Sequence, residues 1–202
     1  MGGTKRKITQ NQLDALNELI NIGVGSGASI LNTMLNSHII LQVPQVKLLS
    51  FAQLEKEILT LDTGRLSGVS LGFEGEFSGS ADLMFPSETA MVLVDTLVGG
   101  NTMGMDFDSI RAGTLCEIGN VVLNGVMGSI SNIFSSHFKY SVPEYIEDIS
   151  ENILGGEKKS PDMTVLLAKT RFVIEELNID GDIILFFEVG ALDKLLEMTE
   201  AL

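Results

Sequence analysis

Cysteine and histidine are scarce in this chain of 202 residues. A single cysteine, Cys116, excludes a disulfide within the chain, and its place in an apolar helical pattern indicates a buried structural thiol. The two histidines, His38 and His137, lie far apart and far from Cys116, so the three residues have no metal-ligand spacing. We therefore expect no metal or cofactor site belonging to this chain.

Positive charge and long apolar runs are also lacking. The formal net charge is −14, and the only basic cluster is Lys5–Lys7. Nucleic acid is a poor partner for such a chain, because neutralising phosphates requires a basic surface, whereas a basic surface on another protein would suit it. No apolar run reaches the roughly 18 residues of a membrane span, and the polar first residues do not resemble a signal peptide. We expect a cytoplasmic protein without a membrane segment.

One spacing pattern is present twice in the sequence. A glutamate, an asparagine and a proline have the spacing E-x2-N-x22-P in two places, 99 residues apart: Glu18, Asn21 and Pro44, then Glu117, Asn120 and Pro143. Most apolar neighbours differ between the copies, so the polar residues stand out. The pattern predicts one domain, residues 1–202, with pseudo-twofold halves at about 9–100 and 109–202.

Each half is predicted to contain a long helix, several strands and a shorter helix. In the first half, helix is predicted from Thr9 to about 35 and at 87–97, with strands at 39–49, 69–77 and 79–85. The second half has predicted helices at 109–135 and 191–201 and predicted strands at 137–149, 163–177 and 182–189. A loop is predicted between the halves at 99–108, and another within the second half at 155–161. Strands follow one another without intervening helices. This favours a mixed α+β fold, a mainly antiparallel central sheet with the two long helices packed on it, over a doubly wound parallel sheet.

Local signals refine these elements. Thr9 is a good N-cap, and Gln12, three residues later, completes a capping box. Three glycines at 23–27 each cost about 1 kcal/mol in a helix interior, which predicts a close approach of another helix. Pro44 predicts an edge position or the end of a strand.

Helical geometry places the repeated polar residues on a narrow face of each long helix. At about 100° per residue, a stripe roughly 60° wide contains four residues in each copy. They are Asp14, Glu18, Asn21 and Gly25, then Gly113, Glu117, Asn120 and Asn124. A helix that is apolar around the rest of its circumference is buried, so the stripe is the face of the helix that is exposed to solvent. A solvated face is the simpler interpretation of one stripe, and repetition favours a functional one.

Glutamate and asparagine alone limit the chemistry of such a site. The sequence has no Ser-His-Asp set, and one glutamate in each copy does not supply a local acid/base pair. An amide both donates and accepts hydrogen bonds, so it can hold a water molecule in a fixed orientation. Hydrolysis of a phosphoryl group needs little more than an aligned water when metal and cations are already in place.

The pattern Asp/Ser-x3-Glu-x2-Asn-x22-Pro resembles the signature of the CheC, CheX and FliY phosphatases of bacterial and archaeal chemotaxis. Asp14, Glu18, Asn21 and Pro44 fulfil it, whereas the second copy has Gly113 at the first position. The resemblance covers almost the whole chain. With two copies of the motif, the chain is most similar to CheC.

The resemblance implies a phosphatase that hydrolyses the aspartyl phosphate of the response regulator CheY. Asn21 and Asn120 would then orient the attacking water, and Glu18 and Glu117 would pair with the active-site lysine of the regulator. Asp14 would contribute to docking. The resemblance also implies that Mg²⁺ comes with the regulator and that the receptor deamidase CheD is a possible second partner.

Two other interpretations stay open from the sequence. Residues 23–28 can be written G-x-G-x-x-A, but a dinucleotide fingerprint must follow a strand and open a helix, and here a helical pattern precedes it. Alternatively, the chain is a scaffold that binds a response regulator or CheD without catalysis. Activity at substoichiometric amounts distinguishes an enzyme from such a scaffold.

Overall fold

The structure is a computed structural model that describes residues 9–35, 38–59, 64–99, 106–133, 135–149, 152–153, 163–174, 177–188, 191 and 194. The helices are α1 (Gln10–Leu35), α2 (Phe51–Leu59), α3 (Ser87–Val98) and α4 (Phe107–Ile133). The strands are β1 (Ile39–Ser50), β2 (Arg65–Glu74), β3 (Gly79–Pro86), β4 (Lys139–Tyr140), β5 (Glu144–Ile149), β6 (Thr164–Ile174) and β7 (Leu177–Phe187).

The strands form a single antiparallel sheet over the described residues. Their order is β1-β6-β7-β3-β2-β4, and β5 also pairs with β2. Strand β1 lies against β6, with Ile39 opposite Ile174 and Ser50 opposite Thr164, while β5 lies against β2. The first strand of each predicted half is therefore paired with the other half. The predicted mixed fold of helices and antiparallel sheet is confirmed, whereas the repeat itself stays a prediction.

Strand β1 lies at one edge of the sheet, as Pro44 predicts. The register between β1 and β6 shifts between Gln42 and Gln45, and Pro44 lies within this shift. A proline has no backbone N–H to donate, so an irregular edge position is where a sheet tolerates it.

The segment after α4 differs from the single strand predicted at 137–149. It forms β4 and β5, separated by an interruption at 141–143 that includes Pro143. At this interruption the backbone N–H of Ser141 donates to the carbonyl of Gly72 at 2.9 Å. The Ser141 hydroxyl oxygen in turn accepts the N–H of Gly72 at 2.9 Å. A side-chain hydroxyl thus replaces one backbone hydrogen bond of the sheet, and the pattern of apolar and polar residues does not predict such a bond.

Helix α1 begins with the predicted capping box. The backbone N–H of Thr9 donates to Oε1 of Gln12 at 2.9 Å, and the N–H of Gln12 donates to Oγ1 of Thr9 at 3.3 Å. Each side chain satisfies a backbone N–H that the helix itself leaves without a partner. The predicted start of this helix is therefore confirmed.

Helices α1 and α4 cross at glycines. A Cβ atom on Gly23 would lie 2.5 Å from the Cα of Val126, and one on Gly27 would lie 3.1 Å from the Cα of Val122. The contact moves back along α4 as it moves forward along α1, so the helices run antiparallel. The predicted close approach is confirmed at Gly23 and Gly27. It is wrong for Gly25, because no heavy atom of the described residues lies within 4 Å of a Cβ placed there.

Apolar clusters cover both faces of the sheet. The larger cluster lies between the sheet and the helices α1 and α4, with Leu16 and Leu123 fully buried. The smaller cluster lies on the opposite face, where Phe51 and Leu54 of α2 pack with Val165 and Phe186. Helix α2 was not predicted from the sequence. The predicted helix at 191–201 and the predicted loops at 99–108 and 155–161 lie mostly outside the described residues.

Candidate functional site

The first polar stripe lies on the outer side of α1. Asp14 and Glu18 are exposed, and Asn21, one turn further on, is half-buried. The Asp14 carboxylate accepts a hydrogen bond from Nε2 of Gln10 at 2.8 Å. Of the apolar residues predicted to face away from the stripe, Leu16, Ile20 and Val24 are buried and Leu13 is half-buried. The structure thus places all three predicted site residues of the first copy on one accessible helix face.

The second polar stripe lies in the same way on α4. Gly113 and Glu117 are exposed, and Asn120 and Asn124 are half-buried. No heavy atom of the described residues lies within 4 Å of a Cβ placed on Gly113, so a side chain there would extend into open space. The surrounding apolar residues are buried, among them Leu115, Ile118, Val122, Leu123 and Val126. The predicted solvent-exposed stripe on an otherwise buried helix is therefore present.

Each motif asparagine is hydrogen-bonded to another asparagine on its own helix. Nδ2 of Asn21 donates to the backbone oxygen of Asn17 at 2.9 Å and to its Oδ1 at 3.2 Å. Nδ2 of Asn124 donates to the backbone oxygen and to Oδ1 of Asn120, both at 2.7 Å. Sequence reasoning overlooked Asn17 and found no role for Asn124. Their spacing of four residues from the motif asparagines was the available signal.

The two helices bring the stripes to the same side of the sheet. A groove of about 340 Å³ lies along their contact, lined by Ser26 and Ile30 of α1 and by Asn120, Val121 and Asn124 of α4, among others. The second motif asparagine therefore borders a concave surface that both helices build.

The stripes are acidic. They carry the carboxylates of Asp14, Glu18 and Glu117, and Arg111 is the only cation within the described residues of α1 and α4. Arg111 is already engaged, because its Nη2 lies 3.1 Å from Oδ1 of Asp108 and 2.8 Å from Oε2 of Glu147. The arrangement suits a cation supplied by a partner.

Other reactive groups lie outside this arrangement. Cys116 is half-buried, and burial raises the pKa of its thiol, which disfavours the reactive thiolate. His38 and His137 are exposed, each a few residues after a long helix. The described part of the chain contains no group of three or more His, Cys, Asp or Glu that could hold a metal ion. No helix within that part is long and apolar enough to cross a membrane.

A second cavity of about 670 Å³ opens on the sheet face opposite α1 and α4. Its charged residues pair across strands: Nζ of Lys169 lies 3.4 Å from Oδ1 of Asp182, and Nε of Arg171 lies 2.6 Å from Oδ1 of Asp180. Burial raises the pKa of Asp182, and the nearby Lys169 opposes that rise. These charges stabilise one another, so they do not by themselves indicate a ligand.

The nucleotide-binding interpretation is wrong in its context. Residues 23–28 lie in the middle of α1 and not between a strand and the start of a helix. Gly23 and Gly27 serve the contact with α4. The backbone N–H groups of a helix interior are already bonded, so they cannot cradle a phosphate.

Comparisons with known proteins bear on the same residues. A model of the CheC-like family matches residues 12–48, which contain the first motif from Asp14 to Pro44. The CheY-P phosphatase CheC of Bacillus subtilis is 29% identical over 145 residues, which cover 70% of this chain and 69% of that protein. The flagellar motor switch phosphatase FliY of the same organism is 24% identical over 163 residues, which cover 79% of this chain but 42% of FliY.

Solved structures show the same fold. FliY from Thermotoga maritima superimposes with a TM-score of 0.74 at 19% identity, covering 96% of this chain and 98% of that chain. A chain of the CheX–CheY–BeF3–Mg²⁺ complex from Borrelia burgdorferi superimposes with a TM-score of 0.53 at 20% identity, covering 85% of this chain and 99% of that chain. The resemblance to the CheC, CheX and FliY family that the two motifs predict is therefore confirmed by sequence and by fold.

Proposed function

We propose that this chain hydrolyses the aspartyl phosphate of a CheY-type response regulator at two sites, one on α1 and one on α4. The observation that carries the proposal is an exposed glutamate followed one turn later by a half-buried asparagine on each of two helices. The similarity to relatives named CheY-P phosphatase CheC and flagellar motor switch phosphatase FliY supports it.

In this proposal the motif asparagines, Asn21 and Asn120, are the catalytic residues. Each would enter the active site of the regulator and hold one water in line with the phosphorus. The amide adds no proton transfer, so its contribution is placement. Misplacing a reacting group by about 1 Å can cost about 10²-fold in rate, which sets the scale of the expected effect.

Glu18 and Glu117 would dock the regulator by pairing with its active-site lysine. Their exposure leaves both carboxylates accessible, and the only cation of the described helical segments that carry them, Arg111, already has carboxylate partners. Asp14 adds negative charge at the start of the first stripe. Across an interface, such charges mainly raise the rate of association and fix the orientation of the partner.

The remaining chemistry is expected from the regulator. Phosphoryl transfer depends on positioning and on neutralising the phosphoryl oxygens, and Mg²⁺ with a lysine can supply that charge. The solved CheX–CheY complex contains BeF3 and Mg²⁺. We propose that Mg²⁺ likewise arrives with the regulator, and that this chain contributes the water-holding amide.

Loss of phosphate from a phosphorylated CheY-type regulator tests the proposal. The assay uses catalytic amounts of the wild type, Asn21→Ala, Asn120→Ala and the double variant. We expect the wild type to accelerate hydrolysis, each single variant to lose the share of its own site, and the double variant to fall about 10²-fold towards the unassisted rate. Asn178→Ala is a matched control, because Asn178 is exposed on β7 at a position facing away from α1 and α4.

The outcomes separate an enzyme from a scaffold. If each single variant still accelerates hydrolysis and only the double variant does not, the chain has two catalytic sites. Binding of the regulator without acceleration by the wild type refutes the phosphatase proposal and supports a scaffold instead. Binding of CheD, measured separately, would add a partner without changing either conclusion.

A further inference from the structure

The two motif asparagines are held by opposite ends of their amides. Asn21 uses its Nδ2, which donates to the backbone oxygen and Oδ1 of Asn17. Asn120 uses its Oδ1, which accepts from Nδ2 of Asn124 at 2.7 Å. Nδ2 of Asn120 has no hydrogen-bond partner among the described residues, and neither has Oδ1 of Asn21. The first site therefore leaves a carbonyl oxygen available, and the second leaves an N–H group.

Backbone carbonyls fix this assignment of nitrogen and oxygen. The amide atom of Asn21 that lies 2.9 Å from the carbonyl of Asn17 must be nitrogen, because a carbonyl oxygen can only accept. The amide atom of Asn124 that lies 2.7 Å from the carbonyl of Asn120 must be nitrogen for the same reason. The Asn120 atom facing that nitrogen must then be the acceptor, Oδ1.

The neighbours responsible differ between the copies. At the offset of 99 residues, Asn17 corresponds to Cys116, and Asn124 corresponds to Gly25. Each copy thus has one asparagine side chain bonded to its motif asparagine, at a position where the other copy has no asparagine. The Glu and Asn of the motif are the same in both copies, but the neighbouring side chains leave the oxygen of one amide and the N–H group of the other without a partner.

Attack on phosphorus distinguishes the two ends. The attacking water must point a lone pair at the phosphorus, so the residue that orients it should accept one of its hydrogens. A free Oδ1 does this, whereas an N–H group would take one of the two lone pairs of the water and make the water a weaker nucleophile. In the second site, Asn124 already takes one of the two lone pairs of the Asn120 oxygen.

We propose that Asn17 and Asn124 are positioning residues that make the two sites unequal, Asn17 favouring catalysis by Asn21 and Asn124 attenuating catalysis by Asn120. The proposal rests on the proposed phosphatase function. It names residues outside the shared motif as the determinants of how fast each copy works.

Each site is tested in isolation. With Asn120→Ala as the background, Asn17→Ala removes the 3.2 Å bond from Nδ2 of Asn21 to Oδ1 of Asn17 but keeps the bond to the backbone oxygen. It should lower kcat of the first site by at most about fivefold, equivalent to about 1 kcal/mol, the usual net value of one neutral hydrogen bond. Asn17→Asp keeps an acceptor for Nδ2 of Asn21 and should restore kcat. With Asn21→Ala as the background, Asn124→Ala and Asn124→Asp both remove the donor, and each should raise kcat of the second site about fivefold.

A transplanted donor provides the reciprocal test. In the Asn120→Ala background, Gly25→Asn places an amide where Asn124 lies in the other copy, and the space around Gly25 is open within the described structure. We expect kcat to fall about fivefold relative to Gly25→Ala, which adds a side chain at the same place without a donor. Changes confined to KM, or a fall in kcat on removing the Asn124 donor, would overturn the proposal.

Nuclear magnetic resonance tests the amide geometry without any phosphatase assay. Side-chain NH₂ protons of Asn21 and Asn124 should exchange with solvent more slowly than those of Asn17 and Asn120. The opposite order would overturn the proposal even if both sites are active. Complete inactivity of the wild type would instead refute the proposed function, and with it the ranking of the two sites. The order of the exchange rates would still test the hydrogen-bond geometry of the amides.

Discussion

The glycine contact between α1 and α4 predicts opposite effects for two alanine substitutions only two residues apart. Gly25→Ala places a methyl group in open space, so the gain in helix propensity should stabilise the protein by about 1 kcal/mol. Gly23→Ala has the same propensity gain. Its methyl group, however, would meet the Cα of Val126 at 2.5 Å, the carbonyl oxygen of Gly125 at 2.8 Å and the nitrogen of Val126 at 2.9 Å.

The magnitude follows from these distances. Carbon atoms in contact prefer a separation of about 3.5–4.0 Å, so the helices would have to part by about 1 Å. Overpacking a core costs about 1–3 kcal/mol, and three backbone obstacles place Gly23→Ala at the upper end. Subtracting the propensity gain leaves a net loss of about 2 kcal/mol, and hence a difference of about 3 kcal/mol from Gly25→Ala.

Urea denaturation followed by circular dichroism measures this difference. Thermal unfolding should show it as about 6–12 °C, since 1 kcal/mol shifts Tm by about 2–4 °C in chains of this size. Helix α4 supplies a matched pair: a Cβ on Gly125 would lie 2.6 Å from the oxygen of Gly23, whereas none of the described atoms lies within 4 Å of one on Gly128. If Gly23→Ala stabilises the protein as much as Gly25→Ala does, the close helix contact is refuted.

Three further predictions concern other groups. Gly113→Ser supplies the missing first side chain of the second stripe, in open space. In the Asn21→Ala background it should lower KM, and its better helix propensity should raise the unfolding free energy by about 0.5 kcal/mol. An unchanged KM would contradict a docking role for this position. Burial raises the folded-state pKa of Asp182 above 3.8, so its contribution to stability is lost as pH rises through that pKa. Asp182→Asn should therefore gain unfolding free energy relative to the wild type between pH 3 and pH 7, and a constant difference in urea titrations would contradict this. Burial also raises the pKa of the Cys116 thiol, so iodoacetamide should react with it more slowly at pH 8 in the native protein than in urea, as mass spectrometry can measure.

Local features were the ones that the sequence predicted well. The capping box of Thr9 and Gln12 depends on residues three apart, and the Glu/Asn stripes depend on helical spacing alone. Such patterns are encoded within one or two turns of a helix. In the first half of α1, the buried Leu16, Ile20 and Val24 and the exposed Asp14 and Glu18 agree with the prediction, whereas Ile30 and Met34 near its end are exposed although their spacing predicts the apolar face.

Features that depend on distant contacts were not predicted. Helix α2 is nine residues long, and its burial arises from Phe51 and Leu54 packing on β6 and β7. The interruption before β5 arises from Ser141 bonding to Gly72, 69 residues earlier. Neither partner could be identified from local spacing. The neighbours of the motif asparagines are an intermediate case, because the spacing of Asn17 and Asn124 was visible but the direction of their hydrogen bonds was not.

The pairing of β1 with β6 has a consequence for how the chain folds. Ile39 meets Ile174, which follows 135 residues later, so one strand of the sheet has no partner until most of the chain has been synthesised. Contacts between such distant segments slow folding, and an unpaired strand edge promotes association with other chains. A fragment ending near Gly99 would leave β1 without its partner strand. The early part of a nascent chain should therefore depend on chaperones, or on rapid completion of β6, to stay unaggregated.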